Sequence, residues 1–120
     1  YLYFYGDDDP EERLRLLDVL LRGRAHLPRQ SLVVLNYHRV QDQDTGLDDG
    51  VVSATAAGFY EQVLLVARHA RAVTIDDIGA ALRGERALPQ NAVLLTFDDG
   101  YRDNHDVALP ILQKLLPQAQ

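Results

Sequence analysis

Apolar positions along the chain fall into two rhythms, one helical and one continuous. Leu14, Leu17 and Leu21, with Leu16 and Leu20, recur at helical spacing. Asp9 ahead of them is placed to cap, Pro10 suits the first helical position, Glu12 completes a capping-box spacing and Gly23 ends the run. Residues 32–35 are apolar without interruption, which predicts a strand buried on both faces. A helix is predicted over 56–70, capped by Thr55 or Ser53, with Phe59, Val63, Val66, Ala67 and Ala70 facing the core. A short strand at Ala72 and Val73 leads to a short helix over 75–83, with Thr74 and Asp77 at its cap and Gly84 at its end.

A second buried strand lies in NAVLLTFDDG, and the helix after it, over 104–116, presents Val107, Ala108, Ile111, Leu112 and Leu115. Pro110 cannot sit in a helix interior without a kink, which moves the expected start of that helix to near Asp106. Strands alternating with helices predict an α/β fold with a mostly parallel sheet.

Composition narrows the function. The 120 residues carry a net charge of -6, which argues against nucleic acid or an anionic membrane as a partner. There is no cysteine, so disulfides, a thiolate nucleophile and sulfur-ligated metal are excluded. No apolar stretch reaches transmembrane length. The opening YLYFYG is too short and too soon acidic for a signal peptide, and a chain with no methionine is expected to be a piece of something longer. The compartment stays open between cytoplasm and bacterial cell envelope. Acidic clusters at 7–12 and at Asp42, Asp44, Asp48 and Asp49 read as solvated loops or helix starts.

The chemistry gathers at two strand ends. SLVVLNYH and NAVLLTFD both run from an apolar stretch to an ionisable side chain. Parallel strands deliver such ends to one side of a sheet, so His38, Asp98 and Asp99 are expected to share a pocket. Adjacent carboxylates at an apolar strand end are costly unless backbone N–H groups, an arginine such as Arg102, or a divalent cation offset the charge. In a metal hydrolase one carboxylate binds the cation and the other takes a proton from water. The competing reading is an ordinary Asp-Asp-Gly turn. A phosphoacceptor receiver domain is disfavoured, because its acidic pair should follow the first strand and further strands should come after.

Thr96, Phe97, Asp98, Asp99 and Gly100 closely resemble the first motif of the polysaccharide deacetylase family, the NodB-homology carbohydrate esterases of family 4. YRDN and ALPILQKL after the motif, and LNYHRV, GVVSAT and VTIDDI before it, extend the resemblance over residues 31–116. It implies the amino-terminal fragment of a distorted (β/α) barrel, with 1–30 as a helical extension and 31–120 as an incomplete NodB-homology domain. The implied activity is metal-dependent hydrolysis of N-acetyl groups on a polysaccharide or amino sugar. Asp98 then corresponds to the catalytic base and Asp99 to a ligand of a divalent metal, usually zinc. His38, Thr96, Phe97, Gly100 and Tyr101 border the pocket, His38 equally as an ordinary strand-end histidine, with Tyr37 and Arg39 structural or pocket-lining.

The family's second motif, two histidines separated by three residues, has no counterpart. His26, His38, His69 and His105 are the chain's histidines and none are so spaced; His26, His69 and His105 get no ligand role. A (β/α) barrel needs about 250 residues, and the ending LLPQAQ departs from the expected turn and strand. The sequence therefore predicts a truncated chain inactive alone. The alternative is a non-catalytic remnant that binds carbohydrate or protein, with association through an open sheet edge.

Overall fold

The computed structural model describes residues 9–23, 31–42, 46 and 49–118. YLYFYG, His26, Asp44 and Asp48 lie outside the described residues. Helix α1 (Pro10–Gly23) starts where Asp9 Oδ1 accepts from the Glu11 N–H at 3.0 Å. Leu17 and Leu21 are buried against α2, whereas Leu16 and Val19 are exposed, so the apolar stripe is narrower than its leucines suggest. Arg13 is buried too and donates from Nη1 to the Ser53 carbonyl.

Strand β1 (Leu32–Tyr37) continues through His38 into the short β2 (Arg39–Val40). A 3-10 turn (Asp49–Val51) leads to β3 (Val52–Ala54), which pairs in parallel with β2. Helix α2 (Ala56–His69) is capped by Thr55, whose side chain accepts from the Gly58 N–H. Its buried face is Phe59, Gln62, Val63 and Val66. Ala67, expected inside, is exposed, and Gln62 is inside because its Oε1 accepts from the buried Tyr37 hydroxyl at 2.7 Å. Burial also pushes the Tyr37 phenol pKa up, so it stays a neutral donor.

Strand β4 (Arg71–Ala72) precedes α3 (Ile75–Leu82), which opens on a complete capping box between Thr74 and Asp77. Strand β5 (Ala92–Phe97) then enters the centre of a three-stranded parallel sheet of order β1-β5-β4. β5 pairs with all of β1, from Leu32 opposite Ala92 to Tyr37 opposite Phe97. β4 covers β5 only at Ala92 and Val93. The architecture is α/β with parallel pairing throughout; among the described residues the sheet is open and no closed barrel forms.

One sheet face carries the core. Leu35, Tyr37 and Val93 pack with Phe59, Val63 and Val66 of α2, and Tyr37, Phe59 and Phe97 meet ring to ring with centroids 5.0 to 5.9 Å apart. Val33, Leu95 and Phe97 are partly buried against the same cluster, while on the alternate positions Ala92 is buried and Leu32, Val34 and Leu94 are half-buried. The expected burial on both faces is thus met only in part by the described residues.

The last helix departs most from expectation. Its backbone is helical from Arg102, passes through a π turn (Asn104–Ala108) and continues as α4 (Leu109–Leu115). In an α-helix the Pro110 ring would collide with the carbonyl four residues back. The widened turn, with the Leu109 N–H reaching the Asn104 carbonyl, lets the helix pass the proline instead of starting at it. No helix among the described residues is long and apolar enough to cross a membrane.

The start of this helix is tied to β2 by a buried ion pair. Asp103 Oδ2 accepts from Arg39 Nε at 2.9 Å and its Oδ1 accepts from the Val40 N–H at 3.0 Å. Asp103→Ala is expected to lower stability by about 3 kcal/mol, because it leaves a buried cation without its carboxylate. Asp106→Ala, on the exposed side of the same helix, should leave the urea midpoint unchanged. Thr74→Ala should cost about 1 kcal/mol in the same experiment, and Thr74→Ser little. Hydrogen bonds from the Thr74 backbone and hydroxyl, with Arg86 nearby, hold the Asp77 pKa below its ordinary value of 3.8. That contribution is complete above the ordinary aspartate value and lost as pH falls through the lowered one, so the Thr74→Ala deficit should shrink in acid.

Candidate functional site

The site forms where β1 and β5 end. Their in-register parallel pairing places Asn36 opposite Thr96 and Tyr37 opposite Phe97. The ladder runs one step further, with the Asp98 N–H donating to the Tyr37 carbonyl at 2.8 Å. This carries Asp98 to the level of His38, and the two side chains meet with His38 Nε2 3.8 Å from Asp98 Oδ2. Both remain accessible, His38 at 39% and Asp98 at 52% side-chain exposure, so a solute can reach them. The His38 backbone is fixed by its N–H donating to Ser53 Oγ at 2.9 Å.

A second contact on Asp98 comes from a residue the sequence reading did not select. Asn36 Nδ2 donates to Asp98 Oδ2 at 2.9 Å, and the Thr96 hydroxyl donates to Asn36 Oδ1 at 2.7 Å. The available signal was the parallel alignment of LNYH with LTFD, which sets Asn36 beside Thr96 once the register is known.

Immediately after Asp98 the backbone turns sharply. Asp99 has φ 65° and Gly100 has φ 63°, two successive left-handed residues. Gly100 accepts this freely, while a left-handed aspartate is uncommon and carries strain. Such strain collects where a side chain must be aimed. The turn separates the pair: Asp98 faces Asn36 and His38, and Asp99 is exposed with no hydrogen bond or ion pair among the described residues. Arg102 does not neutralise the pair, since it binds Asp106 at 2.8 Å.

Of the other pocket residues, Tyr101 lies half-buried beneath the Arg39 guanidinium, 4.8 Å from its ring centroid, and belongs to the Arg39–Asp103 lock. Phe97 stacks on Tyr37 in the core. Thr96 and Phe97 also line an open apolar cleft of about 430 Å³, with Val73, Ile75, Leu94 and Leu112. His69 sits in the last turn of α2, and His105 is exposed beside Asp106; neither approaches the strand ends as a partner.

A zinc centre asks for three protein ligands. Among the described residues no group of three His, Cys, Asp or Glu side chains is placed to hold a metal ion. Asp99 offers one carboxylate, and His38 and Asp98 face one another. The donor set therefore does not make a metal centre by itself. What it does make is a carboxylate beside an imidazole, both open to solvent, a pairing suited to proton transfer.

Comparison with known proteins finds relatives by sequence. The chain is 34% identical over 105 residues to the poly-beta-1,6-N-acetyl-D-glucosamine N-deacetylases of Escherichia coli O157:H7 and Escherichia coli strain K12. The match takes in 87% of the chain and 15% of the length of each relative. No family model matches the chain, and no solved structure matches it significantly. The chain is thus similar to one segment of these N-deacetylases, the class of protein that its TFDDG segment resembles.

Proposed function

We propose that the β1–β5 strand ends are the proton-transfer part of an N-deacetylase site that acts on N-acetylated glucosamine polymer. The observation that supports this most is the facing of Asp98 and His38 at 3.8 Å across two in-register parallel strands. Asp98 takes a proton from the water that attacks the acetyl carbonyl. The resulting tetrahedral carbon expels the sugar amine as the C–N bond breaks. His38, in its protonated form, gives the amine nitrogen its proton, and acetate leaves. Solvent access to both side chains suits a substrate that approaches from outside as a polymer segment. Asp99, aimed away by the left-handed turn, is assigned to a divalent cation, with zinc as the expected ion. No two histidines of the chain are separated by three residues to complete the ligands of that ion, so the 120 residues alone are proposed to be inactive.

A second reading rests on a separate feature. Beyond Val93 the edge of β5 has no strand beside it among the described residues, and the apolar cleft runs along that edge. An unpaired edge with apolar walls suits an extended polypeptide, which would make the chain a binding module.

The two readings separate in a segment exchange. The matching 105-residue segment of the Escherichia coli relative is replaced by this chain, and acetate release from N-acetylated β-1,6-glucosamine oligomer is measured. The exchanged enzyme is expected to release acetate, and Asp98→Asn to lower the rate by about 10²–10⁴-fold. A folded exchanged enzyme whose rate is indifferent to Asp98→Asn would sink the catalytic reading and leave the binding module.

A further inference from the structure

The contacts on Asp98 are unequal. Its Oδ2 receives the Asn36 amide at 2.9 Å and faces His38 at 3.8 Å, while its Oδ1 has no partner among the described residues. The orientation of the Asn36 amide follows from its neighbours. Thr96 is its register partner, and the Thr96 hydroxyl donates to Asn36 Oδ1 at 2.7 Å. Turning the amide over would set Oδ1 against the Asp98 carboxylate, two acceptors face to face. Only one orientation satisfies both contacts, with Thr96 holding the oxygen and Nδ2 given to Asp98.

An aspartate at 52% side-chain exposure, placed just past a strand end, would otherwise sample several rotamers. The Thr96–Asn36 pair sits on paired strands, and a site built on strands is held more tightly than one on a loop. The pair restrains that freedom and leaves Oδ1 as the carboxylate oxygen without a hydrogen-bond partner among the described residues.

We propose that Asn36 is a positioning residue for Asp98: anchored by Thr96, it fixes Oδ2 and so makes Oδ1 the oxygen that takes the proton. The catalytic consequence rests on the reading of Asp98 as base. Asn36 itself is assigned no contact with the attacking water or the substrate. Supporting groups of this kind, when removed, cost about 10–100-fold in rate.

The test begins on the 120-residue chain, whose asparagines are Asn36, Asn91 and Asn104, so the Asn36 side-chain amide is readily assigned by nitrogen-15 NMR. Its order parameter is expected near about 0.85, the value of rigid backbone. Asp98→Ala and Thr96→Val should each shift the signal and lower the order parameter below about 0.6, and Thr96→Ser should restore it. A mobile Asn36 amide in the unmodified chain, or a signal unmoved by Asp98→Ala, overturns the anchoring. In the exchanged Escherichia coli enzyme, Asn36→Ala should lower kcat by about 10–100-fold with KM within about twofold. An unchanged kcat overturns the positioning role. An exchanged enzyme inert even before substitution removes the deacetylase reading, while the NMR arm still judges the anchoring.

Discussion

The two strand ends hold their relation because of a buried carboxylate. Asp103 lies 64 residues from Arg39 in sequence, yet the pair is 9% and 11% exposed and closes at 2.9 Å. Taking both charges from water is expensive, and attraction alone often fails to offset it. Here the remaining capacity of the pair is also used: Val40 gives Asp103 its N–H, Gln41 accepts from the guanidinium and the Tyr101 ring lies beneath it. The lock joins β2, directly after His38, to the helix that begins just past the Asp98–Gly100 turn. Both sides of the site are therefore clamped from behind, and the turn between them can carry the strain of a left-handed aspartate.

In front of the lock, the parallel register does the placing. Equal progress along β1 and β5 brings Asn36 to Thr96 and His38 to Asp98, and the aromatic rings of Tyr37, Phe59 and Phe97 support that register from the core side. The polar side chains at the strand ends thus alternate with the most tightly packed ones. Asn36 and Thr96 face away from the helices because Tyr37 and Phe97 face toward them. The Escherichia coli deacetylases are similar to the chain over 105 residues, and the proposed assignments concern which oxygen and which nitrogen at these strand ends move protons.

Much of this was legible in local patterns. Thr55 and Thr74 capped the helices expected of them, the two apolar runs became paired strands, and TFDDG marked the turn. Features that depend on partners distant in sequence were not legible. Gln62 is inside because Tyr37 supplies a hydroxyl, and Ala67 lies outside the buried face of the same helix. Leu16 is apolar but lies off the contact with α2. Asp103 looked like one more acid in YRDN, and Asn36 like one polar residue before an aromatic; each acquires its role only when the strands pair. Pro110 correctly signalled a disturbance, but a π turn absorbs it and lets the helix begin earlier, at Arg102.

Backbone hydrogen exchange at Val40 tests the lock most directly, because its N–H donates to the Asp103 side chain. If the lock holds the strand ends together, the Val40 amide exchanges as slowly as the amides in the middle of β5, and Asp103→Ala speeds exchange at both Val40 and Asp98. A Val40 amide that exchanges at the unprotected rate while β5 stays protected would contradict the account.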